Sequence, residues 1–366
     1  MIGRKTALLC MTAALALLAL PTLAAAKTKT VDMGVPPAFG ERFERLGLPA
    51  DVNAFFPRSV TINRGDTVRF RASGFHTFDL PPRGGDLLPL LSAAGEVAGA
   101  NDAAGAPFWF NGENQYGFNP RLGPPGNFGK LVRYNGSRRQ ISGLPLADRP
   151  KPVRVRFTRN GRFTYLCNLH PGMKGTVNVR ARGRSVPSRK ADRRAVRAQV
   201  TRSLRAIRRL PDATPPDGTV NVGVAGRGGE ELFAFVPNAV TVNVGDRLRF
   251  RMSPGSYDVH TATTGPGNPE DEPDSYLGQL AGTFQGPGPF DARSTYRSEA
   301  PQTTATLTPA LHGNGFWNSG LMDRAAGAPL GRPFPTHDSV VFGAAGAYDF
   351  WCLIHPFMKA TVTVQP

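Results

Sequence analysis

The sequence predicts an all-β protein built from two similar β-sandwich domains. The chain has 366 residues, enough for two or three domains, and its 42 Gly and 34 Pro favour short strands joined by turns. Residues 30–35 read TVDMGV and residues 219–224 read TVNVGV, which is the first sign of an internal repeat. Strands that recur without alternating helices favour a sandwich in each copy.

A longer match follows each of these segments. Residues 56–70 read FPRSVTINRGDTVRF and residues 236–250 read VPNAVTVNVGDRLRF, so apolar residues alternate on both sides of a Gly-Asp turn. A single histidine comes next in each copy, His76 and then His260, and both copies finish on an alternating strand. The predicted domains are residues 28–181 and residues 218–366.

Each copy carries a long Gly/Pro-rich stretch after its histidine, before a Ser-Gly-Leu triplet at residues 142–144 or 319–321. Stretches of this length are usually functional covers or loosely ordered insertions. Within the first of them, residues 87–98 are a candidate short helix.

The N-terminus predicts export. Arg4 and Lys5 precede an apolar run over residues 7–20, and small residues at 24–26 supply a cleavage site. Residues 1–26 are therefore expected to be a secretory signal peptide, and the protein to be periplasmic, cell-surface or secreted. An uncleaved membrane anchor is the alternative.

The two copies are joined by a basic segment, predicted as a helical linker over residues 182–217. Asp192 is the single acid between residues 180 and 210, where much of the net charge of +17 resides. Val196, Val200, Leu204 and Ile207 recur at helical spacing. Two interpretations stay open: a linker helix docked on a domain, or a surface for a membrane, an anionic polymer or an acidic partner. Nucleic acid is not expected as a partner of an exported chain without a recognisable binding module.

Two cysteines remain beyond the predicted signal peptide, and they stand in equivalent motifs. Residues 161–173 read GRFTYLCNLHPGM and residues 346–358 read GAYDFWCLIHPFM, with Cys, His and Met at the same spacing. A disulfide between Cys167 and Cys352 is the usual expectation for an exported chain. It explains neither the histidine nor the methionine of each motif.

A cysteine thiolate, two imidazoles and a weak axial thioether form the ligand set of a blue-copper site. Structural zinc favours more Cys or His and no Met. In each motif the turn after the cysteine returns His and Met to one point, and the second imidazole has to come from a distant strand. The predicted metal ligands are His76, Cys167, His170 and Met173 in the first copy and His260, Cys352, His355 and Met358 in the second. We expect two type 1 copper ions per chain.

The two C-x-x-H-x-x-M loops, each after an aromatic-rich strand, resemble those of amicyanin- and plastocyanin-type cupredoxins. The resemblance covers about half of the mature chain, around the strands near each histidine and each C-terminal loop. It implies tandem Greek-key β-sandwiches with copper at one end, and electron entry through the exposed edges of His170 and His355. Thr77 and Thr261 stand where that family often has Asn. The long insertions are a second departure, and they are expected to affect partner docking.

These features predict single-electron transfer with redox partner proteins. Extracytoplasmic copper storage needs the same ligands and stays open as an alternative. A copper-dependent enzyme is not expected, because the chain lacks His-x-His and His-Cys-His pairs. The two remaining histidines, His312 and His337, are expected at the surface. Differences between the loops, such as Asn168 against Leu353, predict different reduction potentials for the two sites.

Overall fold

The computed structural model describes residues 26–324 and 334–366. The predicted signal peptide, residues 1–26, lies outside the described residues except for its last one. No helix in the described ranges has both the length and the apolar character needed to cross a bilayer.

Short strands make up most of the regular structure. The strands of the first half are β1 (Thr28–Met33), β2 (Ala50–Val52), β3 (Phe55–Phe56), β4 (Ser59–Asn63), β5 (Thr67–Ala72), β6 (Asp79–Leu80), β7 (Leu91–Glu96), β8 (Asn114–Phe118), β9 (Leu131–Tyr134), β10 (Gln140–Ile141), β11 (Val153–Phe157), β12 (Gly161–Leu166) and β13 (Lys174–Arg180). Those of the second half are β14 (Thr219–Ala225), β15 (Glu230–Val236), β16 (Ala239–Asn243), β17 (Arg247–Met252), β18 (Thr263–Thr264), β19 (Ala305–Leu307), β20 (Trp317–Asn318), β21 (His337–Phe342), β22 (Gly346–Trp351) and β23 (Lys359–Gln365).

The described residues contain few helices. The α-helices are α1 (Gly40–Glu44), α2 (Arg189–Ile207), α3 (Tyr276–Gly282) and α4 (Ala292–Thr295). Single 3-10 turns occur at Pro37–Phe39, Pro120–Leu122, Thr283–Gln285 and Leu311–Gly313.

The first half of the chain forms a β-sandwich. One sheet has the strand order β3, β1, β5, β11, β9 and the other has the order β10, β6, β12, β13, β4. Alternate residues of both sheets face one core, as when the rings of Phe70 and Tyr165 meet edge to face with centroids 5.0 Å apart. Cys167 and Met173 belong to this core.

The second half forms a matching sandwich. Its sheets have the orders β19, β21, β17, β14, β15, β2 and β16, β23, β22, β18, β20. Phe250 and Phe350 face each other across the core with centroids 4.6 Å apart, and Cys352 and Met358 lie in the same cluster. The predicted all-β sandwich architecture is therefore confirmed.

Strand β2 joins the two sandwiches. It comes from the first half of the chain but pairs antiparallel with β15 of the second, with Asp51 opposite Glu231. Directly opposite residues of an antiparallel pair project on the same face of the sheet. The pairing therefore brings two carboxylates together between the sandwiches.

Helix α2 occupies the basic segment and is packed rather than free. Ser188 caps its start by accepting a hydrogen bond from the backbone N–H of Ala191. Val200, Leu204 and Ile207 are buried in an apolar cluster with residues of both halves, including Phe56 from β3 and Leu232 from β15. The helix therefore stabilises the arrangement of the two sandwiches, and its basic side chains lie mainly on the opposite face.

The two insertions fold against each other. The expected helix at residues 87–98 is wrong, because this segment contains strand β7, which pairs with β8. That long-range pairing overrides the weak local preference of a short Ala-containing stretch. Phe110 from the first insertion stacks on Tyr296 from the second, with centroids 5.3 Å apart, inside an apolar cluster that also holds Trp351 and Leu353 beside Cys352.

A polar contact also links the insertions. His312 was expected at the surface, but it is largely buried, with Nδ1 3.2 Å from Asp102 Oδ2 and Nε2 2.8 Å from Glu299 Oε1. Its two carboxylate partners hold the ring in place, which its sequence position did not indicate. His337 is exposed, as expected.

We expect the stability of the insertion cluster to fall as the pH rises. Burial by itself lowers the pKa of His312, but the hydrogen bonds and charges of Glu299 and Asp102 outweigh it and raise that pKa above its ordinary value of 6.5. A raised pKa stabilises the folded state fully below the unfolded-state value, and the effect is lost as the pH rises through the folded-state value. His312→Gln should cost about 1 kcal/mol in the protonated range.

The measurement is amide hydrogen exchange of residues 100–118 at about pH 6 and about pH 8, on either side of the ordinary histidine pKa. Wild type should lose protection at the higher pH, while His312→Gln should show little change between the two. The exposed His337→Gln serves as the control. Equal pH dependence in wild type and His312→Gln would rule out this role.

Candidate metal centres

The first centre, called site 1, is assembled by the end of β12 and by the segment after β5. Cys167 directly follows β12, and its backbone N–H donates to the carbonyl of Met173 at 3.0 Å. The N–H of Met173 donates in turn to the carbonyl of His170 at 2.7 Å, which closes the loop into a tight turn. His76 reaches the same point from the other sheet.

Site 1 brings three of its four predicted ligand atoms into one group. His76 Nδ1 lies 3.1 Å from His170 Nδ1, and Cys167 Sγ lies 3.6 Å from His170 Nδ1. One atom from each of these residues falls within 4.8 Å of the others. Met173 is buried in the same core.

The second centre, called site 2, repeats this geometry. Cys352 Sγ lies 3.8 Å from His260 Nδ1 and 3.7 Å from His355 Nδ1. The N–H of Cys352 donates to the carbonyl of Met358, and the N–H of Met358 to that of His355, as in site 1. Met358 is likewise buried.

Both cysteines are free and buried, each in the core of its own sandwich. Burial alone raises the pKa of a thiol, but hydrogen bonds and charges of the neighbouring imidazoles hold the pKa of Cys167 and of Cys352 well below its usual range. The thiolate is the form that binds metals. A thiolate beside two Nδ1 atoms is a donor set that fits copper, so the residues present suit the predicted ion.

A threonine contacts each of the two cysteine sulfurs. The backbone N–H groups of Thr77 and Thr261 each point at a cysteine Sγ at 3.4 Å. Thr77 Oγ1 accepts from the N–H of Asn168 and donates to its side-chain oxygen, and Thr261 Oγ1 accepts from the N–H of Leu353. These hydroxyls tie the two ligand-bearing loops together, although each makes different contacts.

We expect Thr77→Val and Thr261→Val to weaken copper binding at the affected site. Loss of a residue that orients metal ligands commonly lowers affinity by about 10- to 100-fold. Competition with a copper chelator measures this change. Thr→Ser at the same positions keeps the hydroxyl and should bind like wild type; equal affinity of the valine and wild-type proteins would contradict the prediction.

A carboxylate lies near the Nε2 atom of three of the four predicted ligand histidines. Asp258 Oδ1 is 2.9 Å from His170 Nε2, Glu231 Oε1 is 3.5 Å from His260 Nε2, and Asp51 Oδ2 is 3.8 Å from His76 Nε2. At hydrogen-bonding distance a carboxylate fixes the ring orientation of a ligand histidine and increases its basicity, whereas Asp51 is too distant from His76 Nε2 to form a hydrogen bond. Sequence reasoning missed all three; the position of Asp258 two residues before His260 was the only local signal.

These acids, together with the cysteine sulfurs, raise the pKa values of ligand histidines. Burial lowers the pKa of an imidazole, yet hydrogen bonds and charges from Cys352 and Glu231 raise the pKa of His260 to about 10. The pKa of His170 is held well above its usual range against burial, chiefly by the charge of Asp258. The space between the two sites is therefore acidic and hydrogen-bonded.

The two loop histidines differ in exposure. An exposed edge was expected for both, but this is wrong for His170, which is 9% exposed and meets Asp258 from the second sandwich. His355 is partly exposed and packs against Phe233, with ring centroids 4.8 Å apart. His170 is less exposed than His355 because it lies in the contact between the two sandwiches.

Comparisons with known proteins give only distant similarity. No family model and no curated protein matches the chain. Among solved structures, a mutant of amicyanin in its reduced Cu(I) form at pH 4 is 15% identical, with a TM-score of 0.21 over 43% of this chain and 89% of that chain. Oxidised plastocyanin from Dryopteris crassirhizoma is 19% identical, with a TM-score of 0.20 over 40% and 99%. A purple cupredoxin from Nitrosopumilus maritimus is 15% identical, with a TM-score of 0.19 over 41% and 100%.

Proposed function

We propose that this chain is an exported blue-copper protein that carries single electrons at two type 1 sites. The observation that carries the proposal is the duplicated donor set, in which a buried free cysteine meets two histidine Nδ1 atoms in each sandwich. Export rests on the N-terminal pattern of residues 1–26.

Copper, when bound, supplies a one-electron Cu(I)/Cu(II) couple. The chain's own residues supply the rest: His76, Cys167, His170 and Met173 would hold one ion, and His260, Cys352, His355 and Met358 the other. Closed Cys-to-Met loops and buried carboxylates orient the histidines, which favours a site that changes little between the two oxidation states. The apolar cores around both sulfurs exclude water.

The two environments differ in ways that favour different potentials. Asn168, beside Cys167, donates to the carbonyl of Leu88 and lies near Asp79, whereas the equivalent Leu353 is wholly buried among apolar residues. Hydrogen bonding and polarity around a metal site tune its potential.

A potentiometric titration of the copper-loaded protein tests this function. The proposal predicts reversible reduction and reoxidation in two resolved steps. Copper that is lost on reduction, or that cannot be cycled, would favour storage instead. A single step for both sites would contradict the inferred difference in potential.

A further inference from the structure

We propose that site 1 has no direct access to external redox partners and exchanges electrons only with site 2, through the contact between His170 and Asp258. The proposal rests on the function proposed above. It assigns to site 2 the role of the single entry and exit for electrons.

The second sandwich covers the ligand loop of site 1. Asp258 is 4% exposed and lies 2.9 Å from His170 Nε2, while its other oxygen accepts a hydrogen bond from the side chain of Asn53. Tyr257 covers the next part of the loop, because a Cβ atom on Gly172 would lie 2.2 Å from its ring. Tyr257 also packs against the core of the first sandwich. A partner protein therefore has no open surface at His170.

Site 2 presents the opposite arrangement. Phe357 occupies the position equivalent to Gly172 and is 48% exposed. Its ring lies 6.1 Å from that of His355 and 6.2 Å from that of Phe233. An exposed aromatic patch around a partly exposed ligand is a surface that a partner protein can cover.

A short covalent and hydrogen-bonded route connects the two sites. From His170 it crosses one contact to Asp258 and then follows the backbone through Val259 to His260. The cross-strand pair of Asp51 and Glu231 lies between the other two histidines, His76 and His260. The two sites are therefore linked through three carboxylate side chains, of which Asp258 and Glu231 are buried and Asp51 is partly exposed.

Each step of the proposed transfer moves one electron. With copper bound, a one-electron donor protein would lose one electron to site 2, and that electron would then pass from site 2 to site 1. Site 2 is reoxidised and site 1 is reduced. No covalent bond or proton changes place.

Single-site variants test the assignment. Cys352→Ser leaves site 1 alone able to form a thiolate–copper band, and Cys167→Ser leaves site 2 alone. Each copper-loaded variant is mixed with hexaammineruthenium(II), and bleaching of the visible band is followed by stopped flow. Cys167→Ser should react at the rate of wild type, and Cys352→Ser should be slower by about tenfold or more, because access to its copper is blocked.

Uncovering site 1 should restore its reactivity. In the Cys352→Ser background, Tyr257→Ala removes the ring over Gly172 and is expected to raise the reduction rate. Tyr276→Ala, in the insertion cluster, is the matched control and should not change it. A slow site 1 that Tyr257→Ala does not accelerate would contradict the proposed cover.

A second measurement needs no ligand variant. Phe357→Arg places a positive charge on the exposed patch of site 2 and repels the cationic reductant. If site 2 is the only entry for electrons, bleaching of the visible band in the two-copper protein should be slower over its whole amplitude. If part of the visible band still bleached at the wild-type rate in Phe357→Arg, the proposal would be overturned. Absence of any visible band from wild type would instead refute copper electron transfer itself, so the two failures are distinguishable.

Discussion

Cys167→Ser and Cys352→Ser should each lower the bound copper from two ions per chain to one, and together they should abolish the visible absorption. Serine keeps the size of cysteine but removes the soft thiolate that a blue-copper site requires. Because each sulfur lies in a separate core, we expect the two losses to be independent. Metal analysis and visible spectra of the three variants measure the effect.

The control for general damage to the fold is Val179→Ala, a buried core change in the first sandwich that replaces no predicted ligand. It should destabilise the domain but keep both coppers. Loss of both ions in either single cysteine variant would contradict two independent sites. Retention of both in the double variant would show that copper binds elsewhere.

Gly172→Phe should destabilise the contact between the sandwiches by about 3 kcal/mol, the cost of strong overpacking. A Cβ atom at residue 172 already collides with the ring of Tyr257, and the contact extends to its Cγ, so the ring cannot simply rotate away. Denaturant unfolding followed by tyrosine fluorescence measures this loss. We expect the variant also to expose His170.

The reciprocal change Phe357→Gly is the matched control. Phe357 is exposed, so its removal should cost about 1 kcal/mol or less, mainly through the added backbone freedom of glycine. If Gly172→Phe and Phe357→Gly destabilised the protein equally, this would contradict the inference that the ligand loop of site 1 is covered and that of site 2 is exposed.

Local patterns were sufficient to predict the strands and the grouping of the ligand residues. Alternation around Gly65 and Gly245 predicted a strand on either side of each turn, because a half-buried strand must alternate; the two strands of each pair belong to different sheets. The spacing of Cys167, His170 and Met173 predicted a tight loop, since such a short segment can converge only by turning back on itself. The distant His76 was found because it is the single histidine in its part of the repeat.

Contacts between the two copies could not be predicted in the same way. Pairing of Asp51 with Glu231 and the contact of His170 with Asp258 join residues far apart in the chain, and the position of Asp258 two residues before His260 is the one local signal for either contact. The contacts of His312 with Asp102 and Glu299 and the strand at Leu91–Glu96 also depend on the packing of one insertion against the other. Burial and partner choice at these positions follow from tertiary structure, which local sequence patterns do not contain.

The most direct test of a two-site blue-copper protein is the visible spectrum of the purified mature chain loaded with Cu(II), recorded together with its copper content. Two coppers per chain and an intense blue or green colour are the predicted result. A colourless protein without free thiols, in which Cys167 and Cys352 form a disulfide, would contradict it.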